Sequence, residues 1–143
     1  MLLGAAIGSY VNNIYLAIIL AFLSHYLLDF IPHADYYLKN TDKKGWILIL
    51  PNILKIAGDL FLGILLIWMF SKNHPIIYAC AFFAILPDGL TVLNNLIPNK
   101  ILEIHRNLHI EKIHFLKNKK ISNFWRIGSE IIVVIISIMV LKY

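Results

Sequence analysis

The stretch that decides the fold is FLSHYLLDFIPHADYY, residues 22–37, in which an apolar segment ends in four polar groups that hydrocarbon rejects. These groups are His25, Asp29, His33 and Asp35. Pro32 cannot continue a helix without losing a hydrogen bond, so we expect the helix to end near Phe30. His25 and Asp29 are four residues apart and therefore share one helical face, while the other two groups fall on the turn beyond the helix.

The composition of the whole chain is that of a membrane protein. The 143 residues are 59% hydrophobic and 15% charged, with a mean hydropathy of +0.74, whereas soluble domains are about a quarter charged. The length predicts a single domain, residues 1–143. The one cysteine, Cys80, excludes an intrachain disulfide and a cysteine-rich metal site.

Four apolar segments predict helices. They cover residues 2–31, 46–70, 75–97 and 127–141, and the first is weakest at Asn12 and Asn13. A helix needs about 20 apolar residues to cross a bilayer. The fourth segment is short, and the second and third contain proline and aspartate, so some of the four could be buried bundle helices instead.

The basic residues are distributed unequally around these segments. If all four segments cross a bilayer, the loops after the first and the third lie on the same side. That side carries ten basic residues: Lys39, Lys43, Lys44, Lys100, Arg106, Lys112, Lys117, Lys119, Lys120 and Arg126. The other side carries Lys72 and Lys142. The positive-inside rule then places both basic loops in the cytoplasm and both termini outside. Topology thus accounts for the net charge of +5, and we expect no nucleic-acid partner.

Two of the later segments also carry carboxylates towards the cytoplasmic side. Asp88 follows a proline in ILPDG, past the midpoint of the third segment. Asp59 shares one face of the second segment with Asn52 and Lys55. Asp59 could instead form a structural ion pair with Lys55, four residues earlier.

The segment NKILEIHRNLHIEKIHFLKN, residues 99–118, predicts an amphipathic helix on the cytoplasmic side. His105 and His109 lie four residues apart on one face, the spacing with which a helix chelates a metal through two imidazoles. They could also lie on a solvated face, and His114 points to the opposite side. We therefore predict an all-α fold: a membrane helical bundle of about four hydrophobic helices plus one amphipathic cytoplasmic-side helix.

The convergence of these groups favours a divalent metal site. Ionisable groups are costly inside a membrane, and a bound cation would offset the cost by pairing with them. The predicted metal ligands are His25, Asp29, His33, Asp88, His105 and His109. Imidazole and carboxylate ligands without cysteine suit Zn²⁺ first, with Mn²⁺ or Fe²⁺ as alternatives, and the number of carboxylates permits two ions.

Three motifs, HYLLDFIPHAD, ILPDG and HRNLH, together resemble small prokaryotic integral-membrane proteins described as metal-dependent hydrolases. This group includes the LexA-binding inner-membrane hydrolases and is distantly similar to zinc-dependent phospholipase C. The resemblance implies a multi-pass protein of the prokaryotic cytoplasmic (inner) membrane. It also favours a phosphoester as the substrate.

The leading functional hypothesis is a membrane hydrolase with its metal site at the cytoplasmic face, acting on a small phosphoester or a lipid headgroup. Asp35 or Asp59 would serve as the general base, and Lys55 or Arg106 would hold a phosphate. Membrane lipids are the expected partners. Two alternatives remain open: ion or proton transport through intramembrane Asp and His residues, and a non-catalytic scaffold in which the metal holds the helices together.

Overall fold

A computed structural model describes residues 1–31, 50–97, 99–109 and 122–143. Within these ranges the chain forms six helices and no strand, which confirms the predicted all-α bundle. The helices are α1 (Leu2–Tyr10), α2 (Ile14–Asp29), α3 (Leu50–Phe70), α4 (Pro75–Leu96), α5 (Lys100–Asn107) and α6 (Asn123–Lys142).

The first apolar segment forms two helices, so the prediction of one helix over residues 2–31 was wrong. The break falls at the weak point of the segment, because the side chain of Asn13 accepts a hydrogen bond from the backbone N–H of Leu16 at 3.0 Å and caps α2. Asparagine is one of the most favourable residues at this position. The other end of α2 is where the sequence predicted it, since the helix stops at Asp29, ahead of Pro32.

Helix α1 lies at the centre of the bundle and packs on α2, α3, α4 and α6. Small residues allow this close packing. A Cβ atom on Gly4 would lie 2.4 Å from the Cβ of Ala84, and one on Gly8 would lie 2.9 Å from the Cβ of Cys80. Small residues at helix interfaces of this kind let two backbones approach closely in a membrane.

The contacts of α1 also establish its direction. Gly4 faces Ala84, whereas Gly8 reaches the carbonyl of Ile76, so α1 runs antiparallel to α4. Helix α2 runs parallel to α4, since Ala17 and Ala21 pack near its middle and the end of α2 reaches Asp88. Helices α1 and α2 therefore form a hairpin. The start of α1 lies at the same end of the bundle as Asp29, not at the opposite end, where the sequence predicted it.

Three helices are long and apolar enough to cross a membrane: α3, α4 and α6, with spans of Ile53–Phe70, Pro75–Asn94 and Phe124–Lys142. Helix α2 is shorter, at 16 residues, or about 24 Å. Large apolar side chains such as Trp68, Phe82 and Ile132 are exposed on the outside of the bundle. This surface is consistent with a multi-pass membrane protein, with three candidate spans where the sequence suggested four.

The contacts between helix ends show which ends lie together in the bundle. The Nζ of Lys72 donates a hydrogen bond to the backbone oxygen of Tyr143 at 3.3 Å, which places the ends of α3 and α6 together with the start of α4. The α1–α2 hairpin returns the chain to the other end. Both basic segments therefore still leave from that other end, and the charge asymmetry read from the sequence does not depend on four spans.

Helix α5 follows α4 after a short connection and begins where the side chain of Asn99 accepts from the backbone N–H of Ile101 at 2.9 Å. It ends at Asn107, and Leu108 and His109 continue it as a π-helical turn. The predicted amphipathic helix over residues 99–118 is confirmed in its first half. Its second half lies outside the described residues.

Candidate metal centre

The last two turns of α2 supply two of the predicted ligands. The Nε2 of His25 lies 3.4 Å from the Oδ2 of Asp29, one turn later. Both side chains lie on the inner face of α2, with 11% and 7% of their surface exposed. The small residues Ala17 and Ala21 on the same face bring α2 close to α4, and this packing orients the two polar groups towards α4.

Two further side chains reach the same point from α4 and from the turn after α5. The Nε2 of His109 lies 2.9 Å from the Oδ2 of Asp29 and 3.3 Å from the Nε2 of His25. The Oδ1 of Asp88 lies 3.4 Å from the Nε2 of His25 and 3.9 Å from that of His109. Two imidazole nitrogens and two carboxylate oxygens from three parts of the chain thus surround one small volume.

The spacing of the three buried donor atoms, from His25, Asp29 and His109, fits a small cation. Zn²⁺ binds nitrogen and oxygen at about 2.0–2.2 Å in a tetrahedron, which separates neighbouring donors by about 3.3–3.5 Å. The three separations among these donor atoms run from 2.9 to 3.4 Å. His25, Asp29 and His109 form a group whose ligand atoms all lie within 4.8 Å of one another, and this group could hold a metal ion.

The charges and lone pairs of the cluster are compatible with a cation. With ionised carboxylates and neutral imidazoles, the four side chains would carry two negative charges, which a divalent ion would balance. The two Nε2 atoms, 3.3 Å apart, cannot both present lone pairs to each other without a proton or a cation between them.

The cluster is closed on one side and open on the other. His109 and Asp29 are 2% and 7% exposed, whereas the side chain of Asp88 is 66% exposed. Asp88 therefore forms the rim of the cluster, and the three other donors form its floor. A small molecule approaching from outside the bundle would meet Asp88 first.

Helix α4 contributes a second set of contacts, which the sequence did not predict. The Oγ1 of Thr91 lies 3.0 Å from the Nδ1 of His109 and donates a hydrogen bond to the carbonyl of Pro87 at 3.1 Å. The Nε2 of His105 lies 3.1 Å from the same carbonyl and must be the donor there, because a carbonyl oxygen only accepts. His105 therefore lies beside the cluster, with its Nε2 engaged elsewhere.

An aromatic ring forms one wall of the cluster. Tyr26 packs edge-on against His25 and His109, with ring centroids 5.8 and 5.7 Å apart, and against His105 at 6.5 Å. Sequence reasoning missed Tyr26, although it directly follows His25. Its ring restricts the orientation of three imidazoles at once.

The other predicted site residues fall into two groups. Lys55 and Asp59 are exposed on α3, which packs mainly on α6 and α1, and neither belongs to the metal-type group found among the described residues. His33 and Asp35 lie outside the described residues. Arg106 precedes His109 by one turn and is half-buried, with an Nε atom that is shielded from solvent and has no hydrogen-bond partner in the described part of the chain.

Comparison with known proteins gives no match to a family model, to a curated protein or to a solved structure.

Proposed function

We propose that this protein is a membrane-bound, metal-dependent hydrolase with a single divalent ion held by His25, Asp29 and His109. The observation that carries the proposal is the convergence of these three buried donors with Asp88 at the end of a membrane-type bundle. Two imidazoles and one carboxylate are a common ligand set of catalytic zinc sites, which keep a further position open. Zn²⁺ is accordingly the proposed ion.

The asymmetry in burial supports different roles for the two carboxylates. Asp29 is buried and lies closest to His109, as expected of a permanent ligand. Asp88 is exposed and lies further from His109, at the rim where a water molecule would enter. A divalent ion held by His25, Asp29 and His109 would make a bound water more acidic and would polarise the oxygen of a substrate. Asp88 would then accept the proton of the attacking water as the general base.

Arg106 supports a phosphoester as the substrate. It follows His105 and lies three residues before His109, so its side chain leaves the helix near the metal centre. Glu103, three residues earlier on the same helix, forms no ion pair with it among the described residues. A guanidinium without a carboxylate partner is suited to bind a phosphoryl group through paired hydrogen bonds. Lys55 lies on the exposed face of α3, which packs mainly on α6 and α1 rather than on the helices that carry the metal centre.

The location of the cluster supports a substrate at the membrane surface. The cluster lies at the end of the bundle from which both basic segments leave, and the positive-inside rule assigns that end to the cytoplasm. At the opposite end the core is formed by apolar residues such as Ile67, Ile77 and Leu141. A hydrolytic centre at one surface accounts for this distribution better than an ion pathway, which requires polar groups through the whole thickness.

The test is hydrolysis by the purified protein in detergent and in lipid vesicles. The metal would be removed with a chelator and restored as Zn²⁺, and the substrates would be a chromogenic phosphodiester and the phospholipids of the vesicle. We expect turnover that requires Zn²⁺, falls by at least about a hundredfold in Asp88→Asn, and is retained in Asp59→Asn, the matched control on α3. Metal-loaded protein that hydrolyses neither substrate, or equal losses in the two variants, would contradict the proposal.

A further inference from the structure

The hydroxyl of Thr91 lies between a backbone carbonyl and one of the proposed metal ligands. Thr91 follows Pro87 by one turn of α4, and its Oγ1 lies 3.1 Å from the Pro87 oxygen and 3.0 Å from the Nδ1 of His109. The side chain of His109 is 2% exposed, so water cannot replace either contact easily. The two contacts together determine the direction of the hydrogen bonds.

A hydroxyl group has one proton to donate and two lone pairs that accept. The carbonyl of Pro87 can only accept, so the hydroxyl proton of Thr91 points to it. The oxygen of Thr91 then presents a lone pair to His109. With a cation rather than a proton between the Nε2 of His109 and the Asp29 carboxylate, the Nδ1 of His109 carries the proton that joins it to Thr91. In a neutral imidazole with its proton on Nδ1, the Nε2 atom has a free lone pair.

The Nε2 is the atom of His109 that faces the cluster, 2.9 Å from Asp29 and 3.3 Å from the Nε2 of His25, so its lone pair would point at a bound cation. We propose that Thr91 is a positioning residue, which holds His109 in the tautomer and ring orientation that a metal ligand requires. The inference rests on the proposed metal centre. Imidazoles that bind metals usually donate their other N–H to such a partner, and loss of the partner typically weakens metal binding by about 10- to 100-fold.

The backbone carbonyl of Pro87 holds this hydrogen-bond arrangement in place. Its carbonyl accepts from the Thr91 hydroxyl and from the Nε2 of His105, so it orients groups on both sides of the α4–α5 contact. Because this oxygen belongs to the backbone of a helix, it cannot rotate away as a side chain could. The hydroxyl of Thr91 is therefore held in one orientation even before a metal binds.

The test compares Zn²⁺ affinity by chelator competition in wild type, Thr91→Val and Thr91→Ser. Valine keeps the shape of threonine without the hydroxyl, and serine keeps the hydroxyl. Ser137→Ala is the matched control, because Ser137 donates to the Val133 carbonyl one turn earlier at 2.7 Å and is buried in α6. It removes the same kind of intrahelical bond without contact to an imidazole.

We expect Thr91→Val to lose about 10- to 100-fold in Zn²⁺ affinity, with binding restored in Thr91→Ser and unaffected in Ser137→Ala. Equal affinity in wild type and Thr91→Val would overturn the inference while leaving the metal centre intact. Absence of Zn²⁺ binding in wild type would refute the proposed centre itself, so the two failures are distinguishable. A thermal unfolding scan of each metal-free variant separates lost folding from lost affinity. Thr91→Val that matches the wild-type Zn²⁺ affinity once binding is expressed per folded protein would also count against the inference.

Discussion

The two carboxylates of the cluster, Asp29 and Asp88, allow the most informative comparison, because both lie at the proposed metal centre but differ in solvent exposure. Asp29→Asn and Asp88→Asn each replace a charged oxygen by a neutral one of nearly the same shape. Asp29 is 7% exposed and Asp88 is 66% exposed. If a cation binds between them, the loss of Asp29 should weaken its binding far more than the loss of Asp88.

The size of the difference follows from the dielectric surroundings. Two unit charges about 4 Å apart attract by about 4 kcal/mol at an effective dielectric constant near 20, and by about 1 kcal/mol in water. At about 1.4 kcal/mol for each tenfold change, Asp29→Asn should raise the Kd for Zn²⁺ by about a thousandfold and Asp88→Asn by about fivefold.

The assay is titration of metal-free protein in detergent with Zn²⁺ against a chromophoric chelator of known affinity. Asp88→Asn should bind Zn²⁺ nearly as well as wild type and still lose hydrolytic turnover. Equal effects of the two substitutions on Zn²⁺ affinity, or a larger effect of Asp88→Asn, would refute the division into a buried ligand and an exposed base.

Three further predictions concern the bundle and the residues outside the cluster. Gly4→Ala should lower the thermal unfolding midpoint, since its Cβ would lie 2.4 Å from that of Ala84 and overpacking costs about 1–3 kcal/mol. The control Gly58→Ala should leave the midpoint unchanged, because no heavy atom lies within 4 Å of its Cβ. Asn99→Cys and Asn73→Cys, in oriented vesicles, should react with a membrane-impermeant thiol reagent from opposite sides, and labelling from one side would contradict the arrangement of the bundle ends. Lys55→Ala should leave Zn²⁺ affinity unchanged. A tenfold loss of affinity would show that Lys55 belongs to the site after all.

The residues of the metal centre were largely predictable because each carried a local signal. His25 and Asp29 have the spacing of one helical face and occur where charge is costly in an apolar segment. Asp88 follows a proline in a later apolar helix, and the alternation of loops placed it at the same end of the bundle. His109 was found as half of a chelating pair, although His105 had the same spacing and lies beside the cluster instead.

Long-range packing could not be predicted in the same way. The reversal of α1 depends on the fit of Gly4 and Gly8 against α4, and the local pattern of a continuous apolar segment is the same whether or not the chain folds back. His109 joins the cluster and His105 lies beside it because of the π-helical turn at Leu108 and the hydrogen bond of His105 to the Pro87 carbonyl. No side-chain motif predicts either feature. Thr91 is likewise an ordinary helix residue until α5 packs against it.

The central claim is tested most directly by the metal content of untagged protein, purified from cells grown with added zinc and measured by mass spectrometry of the elements. We predict a divalent ion, with zinc first, at a stoichiometric ratio to the wild-type chain, and its loss from the folded double variant His25→Ala/Asp29→Ala. The same metal content in the wild type and in the double variant, or a wild-type protein that retains no divalent ion, would contradict it.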